Sequence, residues 1–249
     1  MRILVQIILV CILVSCKSIE GDMNYGLSHY RMGLYNHAIP SLLCATPELE
    51  KTNPYDTRVT QAYLALGTMA QADKMYDESE QYYLKALSSA EILKIDKNLH
   101  LRNTKNTLGN FYISRKHFQK ALPLLKGAVV LSQGMNSDSI LMAIDLDNLA
   151  LVQAELGKSE ESTELSIQAL ELVDNSKNHK LYNRTKGIIL YNQGKNFEKF
   201  DFFEKALDCY EKSIKSLKVH ATNKLYENWR VELVEKTKSV LIAKHNAKK

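Results

Sequence analysis

The sequence predicts an all-α solenoid made of about five helix hairpins and one further helix near the C-terminus. Apolar residues recur at i, i+3, i+4 and i+7, and no run alternates as a half-buried strand would. The 249 residues include only four Pro and ten Gly, which suits long helices. Small residues at 26, 67, 109, 150 and 194 each open a similar pattern, at spacings of 41, 42, 41 and 44.

The clearest unit begins at Leu146. Leu146, Leu149, Ala150 and Gln153 share one helical face, and Gly157 and the polar stretch Lys158-Ser159-Glu160-Glu161 mark a turn. A second apolar stripe then runs through Leu165 to Ala169 and Leu170. Small residues at 150 and 169 let two antiparallel helices approach closely. One such hairpin cannot cover its own apolar faces, so it must stack on copies of itself.

The other units follow the same order. Tyr25-Gly26 leads to Gly33, Tyr35, Ala38 and Ala45. Leu66-Gly67 leads to Tyr76, Tyr83 and Ala86, and Leu108-Gly109 to Tyr112, Phe118, Ala121 and Ala128. Gly194 leads to Phe197, Phe203, Ala206, Tyr210 and Ser213. This order resembles the tetratricopeptide repeat. Repeats of that kind usually run to about 34 residues, and these are longer by about two helical turns. In their length and wording they are similar to the extended repeats of kinesin light chains and of bacterial peptide-sensing regulators. The resemblance covers roughly residues 20–216 and implies a right-handed superhelix with the first helix of each repeat on the concave side.

Polar clusters fall where hairpins should join: Thr52-Asn53-Pro54, Asp96-Lys97-Asn98, the stretch 134–139 and Asp174-Asn175-Ser176-Lys177-Asn178. Pro47 and Pro54 mark the first connection as the most irregular. The repeats are expected over 24–216. Beyond them Leu225, Trp229, Leu233, Val234, Val240 and Leu241 predict an amphipathic helix within 217–249, with Lys236, Lys238, Lys244, Lys248 and Lys249 on its outer side. A solenoid requires such a polar end cap; the alternative is a basic patch for phospholipid head groups or an acidic partner. Residues 215–249 hold nine Lys or Arg against three Glu, a net +6 against +5 for the whole chain, so the basic character belongs to this end.

The chain starts Met1-Arg2 and continues with an apolar core from Ile3 to Val14, broken by Gln6. Twelve helical residues span about 18 Å, too short for a bilayer core of about 30 Å, and fit a signal peptide over 1–15. Leu13-Val14-Ser15-Cys16 resembles the bacterial lipobox. The resemblance implies diacylglyceryl transfer to Cys16, cleavage before it and an acylated N-terminus, followed by a tether over 16–23. An ordinary signal peptidase site of the Ala-x-Ala kind has no match, since the first alanine is Ala38. Lys17 follows the cysteine, where lipoproteins kept in the inner membrane usually carry Asp. The expected location is therefore the outer membrane of a bacterial envelope, on its periplasmic side. Cys44 and Cys209 lie in the first and last repeats, too far apart along a solenoid to bridge, and are read as small buried residues.

No catalytic motif is present. The seven His lack metal-binding companions, no glycine loop could cradle a phosphate, and no nucleophile elbow occurs. No enzyme activity, cofactor, metal or nucleic-acid partner is expected. The tetratricopeptide resemblance instead places Asn103, Asn106 and Asn110, spaced i, i+3, i+7, on the groove side of the third repeat. It adds Asp147 from the fourth, and Tyr191, Lys195, Glu198 and Lys199 from the fifth. Gln61, Thr68 and Gln71 of the second repeat and Tyr30 and Arg31 of the first occupy matching positions. Asn24, Asn148 and Asn192 stand where kinesin light chain repeats often carry a peptide-binding Asn, while Ala65 and Thr107 depart from that pattern. Met23 stands where a carboxylate clamp would need a basic residue, so that mode is rejected.

An amide offers both a donor and an acceptor to an extended peptide. The expectation is a non-enzymatic, envelope-anchored interaction module holding a peptide segment of a partner protein. A sensing component of a signalling system and a structural spacer are the alternatives, and the Asn stripe could equally be a solvated face.

Overall fold

The computed structural model describes residues 18–135, 139–221 and 228–247. Every regular element in them is a helix. The chain divides into two compact units, 1–111 and 112–249, and each is described by itself.

In the first unit α1 (Ile19–Arg31) and α2 (Tyr35–Thr52) form one antiparallel hairpin, and α3 (Thr57–Ala72) and α4 (Tyr76–Ile92) form a second. Helix α2 packs on α3, and α1 also touches α3. Most of α5 (Lys97–Ser114) completes the unit. Met23, Leu42, Ala45, Val59 and Ala62 form the fully buried centre. In the second unit α6 (Phe118–Gly134) packs on α7 (Ser139–Glu155), which forms a hairpin with α8 (Ser159–Asp174). Helix α9 (Tyr182–Lys199) lies against both α7 and α8 and forms a hairpin with α10 (Phe203–Ala221), on which α11 (Asn228–Asn246) packs.

The small marker residues are where hairpin partners meet. A Cβ on Gly67 would lie 2.7 Å from the Tyr83 ring, and one on Gly194 would lie 2.6 Å from the Tyr210 ring. Gly26 faces Leu42 in the same way, again sixteen residues later. The fourth repeat inverts the sizes: Ala150 and Ser166 stand at that spacing, and both are buried. Close packing explains the exchange, because a larger residue on one helix requires a smaller one opposite.

The turns inside the hairpins also repeat. Gly33, Lys74, Lys116, Gly157 and Asp201 have positive φ, each seven residues after a marker. Each follows the Schellman pattern: Leu34 N–H donates to His29 O, Met75 to Ala70, His117 to Tyr112, Lys158 to Gln153 and Phe202 to Phe197. A non-glycine residue is strained in this conformation.

Several expectations are corrected. The stretch expected as a tether is helical from Ile19, with the Ser18 hydroxyl capping Gly21 N–H and Met23 fully buried. Pro47 lies inside α2 rather than in the connection after it, and Pro40 and Pro123 are also helical. The last repeat helix continues past 216 to Ala221. Helix α11 buries Val231, Val234 and Leu241, while Leu233 and Val240 are exposed. Leu225, the Trp229 side chain, Lys248, Lys249 and Cys16 lie outside the described residues. Cys209 is buried with a free thiol, as expected, but Cys44 is half-buried rather than buried.

Two substitutions should move stability in opposite directions. Gly67→Ala forces the Tyr83 ring aside, and overpacking outweighs the better helix propensity for a net loss of roughly 1 kcal/mol. Lys74→Gly relieves left-handed strain and should gain about 0.5–1 kcal/mol. Denaturant unfolding of both variants beside the parent checks both signs.

Candidate functional site

Within the first unit the groove positions are joined side chain to side chain. Arg31 on α1 donates to Gln61 Oε1 on α3 at 3.1 Å. The Tyr83 hydroxyl reaches from α4 to Gln71 Oε1 at 3.0 Å and Thr68 Oγ1 at 3.3 Å. On α5, Asn110 Nδ2 donates to Asn106 Oδ1 at 3.0 Å, and Asn103 Oδ1 accepts from Arg102 at 2.9 Å. All three asparagines are half-buried. Asn103 keeps its amide N–H groups and Asn110 its carbonyl oxygen uncommitted among the described residues. The stripe thus retains donors and an acceptor on one helical face.

In the second unit the structure brings Asp147 and Asn192 together. Asn192 Nδ2 on α9 donates to Asp147 Oδ2 on α7 at 2.7 Å. Asp147 is 4% exposed, and its other oxygen has no partner. It was expected on an open groove wall and is instead the polar seam between the first helices of two successive repeats. Burial pushes its carboxyl up to about 7, against the Asn192 hydrogen bond, which favours the charged form. Asn148, one residue on, is half-buried. Asp145, on the other side of α7, is fully buried and accepts from the Ser132 hydroxyl on α6.

Lys195 and Tyr191 belong to a second cluster. Glu198 accepts from the Tyr210 hydroxyl at 2.8 Å, from Lys195 at 3.3 Å and from Lys244 on α11 at 3.4 Å. Burial works against the charge on Glu198, but the Tyr210 hydrogen bond and the two ammonium groups outweigh it and hold the carboxyl below its usual range. Tyr191 lies against the Tyr210 ring at 5.9 Å. Lys199 pairs with Glu155 of α7 at 2.7 Å.

Sequence reasoning missed the two tyrosines that organise these clusters. Their signal was the fixed sixteen-residue step from Gly67 to Tyr83 and from Gly194 to Tyr210, which aims both hydroxyls at the next turn of the first helix. Among the described residues, no three His, Cys, Asp or Glu converge as a metal site. No helix among them is long and apolar enough to cross a membrane.

The tetratricopeptide repeat family matches residues 60–92, the hairpin of α3 and α4. No curated protein matches the sequence. Solved structures share the fold. The apo form of RapI is 17% identical with a TM-score of 0.71, over 91% of this chain and 81% of that one. A putative kinesin light chain of Podosopora anserina with nearly identical TPR-like repeats is 14% identical with a TM-score of 0.61, covering 83% and 96%. The PilF protein of Pseudomonas aeruginosa is 18% identical with a TM-score of 0.58, covering 93% and 97%. The fold is all-α and of the tetratricopeptide solenoid class, and residues 60–92 are a repeat of that kind.

The raised Asp147 pKa makes stability depend on pH. The folded state holds the proton up to about 7, whereas an unfolded Asp releases it near 3.8. The folded state therefore binds more protons between these values, and stability falls as pH rises through that window, by up to about 1.4 kcal/mol per pH unit. Asp147→Asn should remove this slope, gaining stability over the parent at pH 8 and little at pH 4. Denaturant titrations at the two pH values check it.

Proposed function

We propose that the protein is a non-enzymatic interaction module that holds an extended peptide segment of a partner protein against the first-helix face of its repeats. The observation that carries this is the half-buried Asn103, Asn106 and Asn110 stripe on one face, where Asn103 keeps its amide N–H groups and Asn110 its carbonyl oxygen uncommitted among the described residues. A peptide main chain needs both donors and acceptors, and such amides supply both. The tetratricopeptide fold supports a protein or peptide partner. The second unit carries polar groups of its own on Asn192 and Lys195, and Asp147 holds Asn192 in place.

The same reading places the module on the periplasmic side of a bacterial outer membrane, held by acyl chains on Cys16. Support comes from the apolar start of the chain and from Leu13-Val14-Ser15-Cys16. Two or more acyl chains anchor a protein stably, where one does so only marginally. With Ser18 capping the first helix, the link from lipid to fold would be very short.

The triple variant Asn103→Ala, Asn106→Ala, Asn110→Ala should keep the circular dichroism of the parent and lose its partner in a crosslinking pull-down. An unchanged partner list would remove the peptide reading. Cys16→Ser should abolish labelling by a fatty-acid analogue and release the protein from membranes; continued labelling would refute the anchor.

A further inference from the structure

Helices α8, α9 and α10 line a half-open cavity of about 540 Å³ that lies apart from the first-helix polar face. This volume is within the range of small-molecule sites. Its floor is apolar, formed by Leu170, Leu190 and Val219. Leu190 is buried, but Val219 remains 54% exposed, so the floor is incompletely covered by the protein.

Its walls are cationic. Lys186 comes from α9, and Lys212 and Lys215 come from α10, against the single acid Asp174 from α8. Lys212, Lys215, Ser216 and Val219 are spaced i, i+3, i+4, i+7 and share one side of α10. The core contacts of that helix use Ala206, Tyr210 and Leu217 instead. Packing therefore does not account for the lysines.

The three lysines are differently held. Lys186 is fixed by Asp174 at 2.5 Å and by the Tyr182 hydroxyl at 3.2 Å. Among the described residues Lys212 has only a solvent-exposed pair with Asp208, both side chains more than half exposed, which contributes little in water. Lys215 makes no ion pair among the described residues. Two ammonium groups are thus available beside an oriented third, above an apolar floor.

We propose that this cavity binds a small amphiphilic anion: a phosphate or carboxylate head held by Lys212, Lys215 and Lys186, with an alkyl stem on Leu170, Leu190 and Val219. Asp174 competes with the head group for Lys186. The inference stands apart from the peptide reading, because neither the Asn stripe nor Asp147 takes part.

The test is a calorimetric titration of the full chain with octyl phosphate, octanoate, inorganic phosphate and octyltrimethylammonium. Both anionic amphiphiles should bind saturably, inorganic phosphate at least ten-fold more weakly, and the cation not measurably. The phosphate and carboxylate arms tell which head group is preferred. Lys212→Gln with Lys215→Gln should weaken octyl phosphate at least ten-fold, while Lys126→Gln on α6 leaves it unchanged. Asp174→Asn should tighten binding several-fold by removing the competing carboxylate, an effect that loss of folding cannot imitate; thermal melts confirm that each variant is folded. The proposal is overturned if the parent shows no saturable binding or if the cation binds as tightly. It is equally overturned by inorganic phosphate matching octyl phosphate, by an unmoved double lysine variant, or by Asp174→Asn failing to tighten.

Discussion

The constraint beneath this structure is the distance of approach inside each helix pair. Two helices that each carry an apolar stripe need a residue without bulk at the crossing, or their stripes remain too far apart to exclude water. Gly67 under Tyr83 and Gly194 under Tyr210 meet that need with the largest partner available. The aromatic ring then closes the pair and sends its hydroxyl to the polar side, where it anchors Gln71 in one case and Glu198 in the other. Interior packing and arrangement of the polar face thus depend on the same contact.

Some of the buried polar side chains link one helix pair to the next. Asp147 bonds to Asn192 across forty-five residues of sequence, and Asn196 reaches Ser162 at 2.9 Å. Such bonds contribute little net energy when satisfied and cost much when broken, so they select one register of stacking over its neighbours. One oxygen of Asp147 is among the buried polar atoms without a hydrogen-bond partner, and burial holds the proton on this carboxyl to higher pH.

Much of the fold was legible because it is local and repeated. The markers, the polar clusters at helix ends and the stripe at Leu146, Leu149 and Ala150 all follow from positions a few residues apart. The failures have a common cause. Pro47 reads as a breaker, yet packing of Leu42, Ala45 and Leu49 keeps α2 continuous around it. Leu233 and Val240 read as a buried face, yet the contact with α10 selects Val231, Val234 and Leu241. Asp147 reads as an open groove residue, and only its partner in a distant helix buries it. The Asn stripe on α5 was legible as a face, since its spacing is intrinsic to the helix.

The last described helix is held in large part by ion pairs. Besides three apolar side chains, α11 holds its neighbours through Lys238 with Glu211, Glu235 with Lys218 and Lys244 with Glu198. Mobile ions compete with exposed pairs of this kind and leave buried apolar contacts intact. Rising ionic strength therefore loosens α11 before it disturbs the hairpins. The terminal helix becomes the point where fraying starts, and its departure uncovers the apolar edge of α10, a surface onto which another helix pair could stack.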